Sequence, residues 1–530
     1  MREKRIALFA SLFLLAFACA FFLFFPVREP AMDDGLLTWQ EQEEAFEGLK
    51  ATEEDLLTDL IFAGESLPCD RESRTFYLPV NMDTKEWEQG AFSCGQKGVK
   101  LYLLDNPLTD DKQEAVRQGK SYRLLAVRGD ACREYRVVFT GLPILELHTD
   151  ADQEIRYDEA YGHMRLLLAN TKEDWSLESR MSGHIRGGSS RLNHKKSYKM
   201  TLYQQNQTGV GALRPHQLPL LGMRKDDEWL LYAMYSEDTK VRDKLCLDIW
   251  NESGALGIES SGHYGYHMEY IEVFQNDVYW GLYGLMEPVD YKQLDLTKEG
   301  EAQPEDFLYK QKDPGVFELK GNHGAEDEAH FQPLNTYLAC LEAEDEVFRE
   351  HIPELIDVDG ALEVWLYLQA VIGMDNVERN IFYPARYEDG KYRIYFMPWD
   401  MDYSWGNVHD FEAGNRTRFS EEILTMRIAW RLGDRLIESD VAGAREKAAA
   451  RWRKLRETVY SDAYLREHID GYAHQVTDSG AFSRDLIRWE SGGHNDDYEA
   501  LKDLACDRMA FLDTWLSDPL SYLELEEYVE

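Results

Sequence analysis

The stretch GMDNVERNIFYPARYEDGKYRIYFMPWDMDYSWG, from Gly373 to Gly406, decides how the chain is read. It follows DVDGALEVWLYLQAVIG, which is apolar nearly all round and predicts a buried helix capped by Asp357 or Asp359. That helix delivers the backbone to Asp375, with Asn380 five positions further on. An Asp-x4-Asn loop in this place lets a carboxylate face an acceptor hydroxyl while the Asn amide oxygen ligates a cation held by phosphates. Taken alone, the spacing is better read as turn residues capping a helix end. The next residues carry the distinction. IFYPARYEDGKYRIYFMP reads as a strand, an Asp389-Gly390 turn and a returning strand, so Asp400 and Asp402 land beside Asp375 and Asn380. Helix, loop, hairpin and Asp in that order is the arrangement by which protein kinases hold Mg²⁺ against nucleotide phosphates.

Upstream, Arg186-Gly187-Gly188-Ser189-Ser190-Arg191 offers consecutive glycines for close backbone approach, with Ser189, Ser190 and Arg186 able to bond phosphate oxygens. The same residues also make an ordinary turn. In the following strand Tyr198, Met200 and Leu202 mark a buried face, and a period of two carried backwards aims Lys196 into the cleft as the phosphate-binding lysine, ahead of Lys195 and Lys199. Glu237 and Glu252 are available as its helix partner.

Five motifs, IRGGSSRLNHKKSYKMTLY, DDEWLLYAMYSEDTKVRDKL, VYWGLYGLMEPV, DNVERNIFY and PWDMDYSWG, make the chain resemble the CotH kinase family of atypical protein kinases over about residues 140 to 515. The resemblance implies a two-lobed kinase-like α+β fold with a helical C-terminal end. It implies Asp375 as the catalytic aspartate, and Asn380, Asp400 and Asp402 as metal ligands. Glu287 falls where a segment joining two lobes passes an adenine ring. ATP with Mg²⁺ or Mn²⁺ is the expected cofactor set, and an exported or surface protein bearing Ser or Thr the expected acceptor. The chain departs from ordinary kinases in having no His-Arg before Asp375, no Phe-Gly after Asp400 and no G-x-G-x-x-G. Two rival readings are a kinase-fold enzyme making another nucleotide-dependent transfer, such as AMPylation, and a non-catalytic surface or spore-coat protein.

The rest of the 530 residues bounds these readings. A net charge of −40 excludes a nucleic-acid partner, since phosphates demand Lys/Arg surfaces. The 44% hydrophobic fraction and 13 Trp imply folded domains. Arg2, Lys4 and Arg5 precede an apolar run from Ile6 to Phe25, long enough to cross a bilayer core of about 30 Å. Residues 1–30 therefore read as a signal anchor, with a cleaved signal peptide as the rival, and the body is expected outside the cytoplasm. Residues 31–64 read as a helical stalk, 65–140 as a small sandwich-like β domain and 141–520 as the kinase-like domain. The chain between about Asp295 and Gly324 reads as a charged surface excursion. Among seven cysteines, Cys69, Cys94 and Cys132 cluster closely enough for one disulfide, and no C-x-x-C spacing supports a zinc site. His163, His184 and His194 show no ligand spacing. Trp229, Trp280, Trp399 and Trp405 read as core.

Overall fold

The computed structural model describes residues 46–525 apart from 88–89, 106, 108–109, 170–174, 205–212, 256–264, 298–303, 322–326, 409–415, 418–420 and 491. The N-terminal apolar run lies outside the described residues. Among those described, no helix is long and apolar enough to cross a membrane.

The chain divides into two units, Met1–Thr140 and Gly141–Glu530. The first is built on a six-stranded mixed sheet in which Thr75–Pro79 runs parallel to Ala131–Thr140 and Ser121–Arg128 antiparallel to it. In the described part of the expected stalk Phe46 is helical, but the helix does not continue through it. Lys50–Ala51 and Ile61–Phe62 are strands, and Leu56, Leu57 and Leu60 are buried. Those leucines fill the unit's own core, which outweighs the acidic residues' preference for helix. None of Cys69, Cys94 and Cys132 is in a disulfide; the first and last lie in strands of the six-stranded sheet, whereas Cys94 follows a strand of a separate three-stranded one.

The second unit opens with a closed barrel of seven strands: β1 (Ile144–Thr149), β2 (Ala160–Leu167), β3 (Ser176–Arg186), β4 (Ser197–Tyr203), β5 (Glu228–Tyr232), β6 (Met268–Gln275) and β7 (Val278–Met286). Alternation drives it: Leu145, Leu147, Tyr198, Met200, Leu202, Ile271 and Val273 point inward to one core, and intervening polar residues face out. β1 pairs in parallel with β6, Ile144 opposite Glu272, and this closure leaves the barrel without an open edge. The β6–β7 turn uses Asn276 and Asp277, both at positive φ, 50° and 57°, as a tight two-residue hairpin requires.

Between β5 and β6 runs helix α1 (Arg242–Ala255), with Leu245, Ile249 and Trp250 buried. A second sheet then forms from β8 (Phe307–Asp313), β9 (Val316–Lys320), β10 (Ile381–Glu388) and β11 (Lys391–Ile394), in the order β9-β8-β10-β11. The expected surface excursion is thus partly core: Leu308 and Tyr309 are fully buried. Its charges misled the reading because Lys310 and Lys312 alternate along β8 with Phe307, Tyr309 and Gln311.

The helical remainder comprises α2 (Gln332–Glu342), α3 (Asp345–Leu355), α4 (Val358–Val371), α5 (Arg431–Glu438), α6 (Ala444–Arg456), α7 (Asp462–Asp478), α8 (Ala481–Arg488) and α9 (Tyr498–Trp515). α4 is buried on all sides, and its polar members are satisfied: Glu363 by Arg451 at 2.7 Å, Gln369 by the Ile428 backbone. Asp357 is its N-cap.

Candidate active site

α4 ends on Ile372 at φ 59° and ψ 52°, a left-handed conformation that is rare for a β-branched residue and turns the chain sharply into Gly373. The Val371 carbonyl that this end would orphan accepts the Trp405 N–H at 2.7 Å, tying the Asp400–Gly406 loop to the helix terminus. Trp405 is fully buried and donates from Nε1 to Cys246 Sγ of α1 at 3.2 Å.

The two halves of the site meet through sheet register. Ile381 pairs with Pro398 and Phe382 with Met397, and the Trp399 N–H donates to the Asn380 carbonyl at 2.9 Å. Buried Asn376 clamps the same junction, donating from Nδ2 to the carbonyls of Asn380 at 3.1 Å and Trp399 at 2.8 Å. Asn380 and Asp400 both hold positive φ, 57° and 61°, residue types that tolerate the left-handed region. Asn380 Nδ2 donates to Asp375 Oδ2 at 2.6 Å, and Arg379 lies 3.2 Å from the other oxygen. Asp375, Asn380, Asp400 and Asp402 are therefore gathered on one junction.

The carboxylates feel one another. Burial, then Asp400, Asp243 and Asp375, push the Asp402 carboxyl well above its ordinary range. Burial, then Asp400 and Glu237, do the same to Asp243 of α1, which accepts the Tyr232 hydroxyl at 2.9 Å. Asp243 is a member of the site that the sequence reading missed, because in VRDKLCLDIW only the apolar face was informative.

A cleft of about 890 Å³ is walled by Leu230, Pro288, Val289, Phe382 and Trp399 and carries Arg186 and Lys310; the four acids' junction does not line it, and Asp400 is felt there through its charge on both cations. Arg186 lies 5.6 Å from the Trp399 ring centre and Lys310 5.7 Å from it. Neither cation makes a hydrogen bond or ion pair among the described residues. Burial lowers the Lys310 ammonium to about 8 against the raising influence of Asp400, and burial lowers Arg186 likewise. Lys310 reaches this place because it sits opposite Phe382 in the β8–β10 register. Trp399 is buried in the core, as expected, and also forms a wall of the cleft.

Other expected residues lie elsewhere. β4 begins only at Ser197, so the period of two does not extend to Lys196, whose Nζ folds back to the carbonyls of Arg191 at 2.6 Å and Asn193. Lys195 is the buried lysine, and it pairs with Asp485 at 2.7 Å outside the cleft. Ser189 and Ser190 form a 3-10 turn, Ser189–Leu192, with Ser190 packed over Gly187. Neither serine lines the cleft, whereas Arg186 does. Glu287 is turned away: its carboxylate accepts the backbone N–H groups of Arg224 at 2.8 Å and His267 at 3.0 Å, leaving Pro288 and Val289 to form the wall. Glu237 is held by Arg242 at 2.5 Å, which also donates to the Trp405 carbonyl.

The family model described as CotH kinase protein matches residues 184–512, from β3 through most of α9, and so spans both halves of this junction. The chain belongs to the CotH kinase family. No curated protein matches it. The CotH match takes in Arg186, Lys310, Asp375, Asn380, Asp400 and Asp402, and leaves out the whole first unit and β1 and β2 of the barrel. The three motifs that hold Arg186 (IRGGSSRLNHKKSYKMTLY), Asp375 and Asn380 (DNVERNIFY) and Asp400 (PWDMDYSWG) all fall within the CotH region.

Proposed function

We propose that this CotH protein is an atypical protein kinase, membrane-anchored with its body outside the cytoplasm, which transfers the γ-phosphoryl group of ATP to Ser or Thr of exported proteins. The observation that carries the reading is that two cations without an ion-pair partner among the described residues, Arg186 and Lys310, line one nucleotide-sized cleft and both feel the charge of Asp400, a member of the carboxylate cluster. Half-buried cations without an ion-pair partner are costly, and polyphosphate supplies the missing charge. Carboxylates that raise one another's pKa call for divalent cations in the same way. The donor set of Asp400, Asp402 and the Asn380 amide oxygen suits a hard ion such as Mg²⁺ or Mn²⁺.

In this reading Leu230, Val289 and Phe382 receive the base, while Arg186 and Lys310 hold the phosphates and are kept in place by Trp399. Asp375, fixed by Asn380 and Arg379, orients the acceptor hydroxyl and takes up its proton. Asp400, Asp402 and Asn380 hold the divalent ion. That ion, when bound, offsets the charge on the transferred group. The extracytoplasmic placement rests on the basic residues Arg2, Lys4 and Arg5 ahead of the apolar run.

The test is incubation of the full chain with γ-labelled ATP and Mg²⁺ or Mn²⁺ and a basic Ser-rich acceptor, beside Asp400→Ala. Label that disappears in the variant supports the reading. Transfer of α-labelled rather than γ-labelled mass replaces it with nucleotidyl transfer, and absence of both label and metal-dependent ATP binding leaves a surface-binding protein.

A further inference from the structure

On the outer face of the barrel, away from the cleft-lining residues, Glu146 and His148 occupy alternate positions of β1, interleaved with Leu145 and Leu147 of the barrel core. The β6–β7 turn brings Asp277 to the same spot. His148 Nε2 lies 3.8 Å from Glu146 Oε1 and 3.8 Å from Asp277 Oδ1, too far for hydrogen bonds, and one ligand atom from each residue lies within 4.8 Å of the other two. We propose that Glu146, His148 and Asp277 form a second divalent-metal site, for a transition ion of the zinc class, separate from the proposed phosphoryl-transfer site.

Three features support it. The donor set, one imidazole and two carboxylates, is the mixed nitrogen and oxygen set that zinc-class ions take with water in the remaining positions. Bonds of about 2.0–2.2 Å place tetrahedral ligand atoms about 3.3 Å apart, so the two 3.8 Å separations from His148 need to close by about 0.5 Å each and the two carboxylates by up to about 1.5 Å. The site is also braced from behind. Arg165 engages Glu146 Oε2, with Nε at 2.7 Å and an η nitrogen at 2.5 Å, and Oε1 is the Glu146 oxygen that lies 3.8 Å from His148 Nε2. Asn276 fixes the turn that carries Asp277: its Oδ1 accepts the Thr149 N–H at 2.9 Å and its Nδ2 donates to the Gln153 carbonyl at 2.9 Å. His163, opposite His148 in the β1–β2 register, is taken up by Asp150 and Arg180. The remaining ligand positions therefore fall to water.

Equilibrium dialysis of the full chain against ZnCl₂ alone, without nucleotide, tests the proposal. Wild type and Asp400→Asn are expected to hold a zinc equivalent that His148→Gln lacks, and Co²⁺ substitution to give a visible absorption band that disappears with His148→Gln. A zinc-free melting curve of His148→Gln matching wild type shows that the loss is one of ligand rather than of fold. Should that variant fail to fold, Asp277→Asn in the turn is expected to lose the same equivalent. Equal zinc stoichiometry in wild type and both variants, or no zinc held by wild type, overturns the proposal and leaves His148 as a histidine flanked by two acids.

Discussion

Asn380 donates from Nδ2 to Asp375 Oδ2 at 2.6 Å while its own backbone, at φ 57°, receives the Trp399 N–H through its carbonyl. One residue thus aims the carboxylate proposed to orient the acceptor and welds that carboxylate's loop to the strand that presents Asp400. The side chain and the backbone can be separated by experiment. Asn380→Gly keeps positive φ accessible and removes only the amide, whereas Asn380→Ala also carries a left-handed cost of about 1 kcal/mol. We expect both to lower the phosphoryl-transfer rate by about 10²-fold, in line with the effect of misplacing a reacting group, and only Asn380→Ala to lower the melting temperature as well. A wild-type single-turnover rate in Asn380→Gly would remove Asn380 from the site.

The acid cluster makes a prediction about stability. The folded state raises the Asp402 and Asp243 carboxyls well above the ordinary carboxyl value of 3.8. The folded state therefore holds more protons than the unfolded one once pH exceeds about 4, and the metal-free chain loses stability as pH rises from there through the raised values. Mg²⁺ or Mn²⁺ replaces those protons, so its stabilising effect grows over the same range. Asp402→Asn removes one of the repelling charges. It is expected to melt higher than wild type without metal at pH 7 and to lose most of the metal-induced gain. Scanning calorimetry with and without Mg²⁺ from pH 5 to 8 reads both; a metal gain that is unchanged in the variant would count against Asp402 as a ligand.

How legible this site was depended on what fixed each residue locally. Asp389 and Gly390 hold φ of 51° and 85°, which only a short list of residue pairs adopts easily, so the hairpin that returns Asp400 to Asn380 could be read from two letters. The barrel strands followed from alternation in segments such as SYKMTLY, and α1 and α4 from their apolar faces. Lys310 was hidden because a strand that lines a polar cleft carries charge where a core strand carries leucine; FLYKQKD resembles surface in composition and is core in position. Lys195 and Lys196 were exchanged because the strand's first residue decides which of two adjacent lysines faces inward, and strand ends are set by tertiary contacts rather than by propensity. Here those contacts come from Asp485, about 290 residues away in sequence.

Lys310 gives the clearest handle on nucleotide binding. Replacing it with Met removes one charge-assisted contact worth about 1.5–3 kcal/mol, a loss of affinity of about 10-fold to 10²-fold. The pH dependence carries a sign. Burial lowers the ammonium to about 8 from 10.5. ATP affinity is therefore expected to fall as pH rises past about 8, with uptake of protons on binding, and Lys310→Arg to bind ATP without that fall. In the nucleotide-free chain the unfolded state holds the proton more tightly, so this lysine weakens folding below about pH 8 and the penalty fades between about 8 and 10.5. Lys310→Met should accordingly be no less stable than wild type at pH 7. Calorimetric titration at pH 7 and pH 9 decides it; equal affinity of wild type and Lys310→Met would place the phosphates elsewhere.

A stability prediction concerns how α8 is fastened to the barrel. Asp485 Oδ1 accepts from Lys195 at 2.7 Å and from the Leu282 N–H at 2.9 Å, and His494 lies 3.2 Å from Oδ2. Although burial alone would raise it, Lys195, His494 and Lys240 together bring the Asp485 carboxyl to about 2. Room for that carboxylate comes from Gly281, at φ +115°, where a Cβ would lie 2.4 Å from Asp485 Oδ1. Gly281→Ala therefore forces the carboxylate off its partners and strains the backbone as well. Breaking a buried pair costs about 3–5 kcal/mol, and we expect Gly281→Ala and Asp485→Ala each to destabilise the second unit by that order in urea unfolding. Lys195→Met with Asp485→Leu, which removes both charges, should recover part of the loss. Because the folded pKa of Asp485 is depressed, its contribution is present above about pH 4 and disappears as pH falls toward 2. A double variant less stable than Asp485→Ala alone would show that Lys195 is held mainly by something other than Asp485.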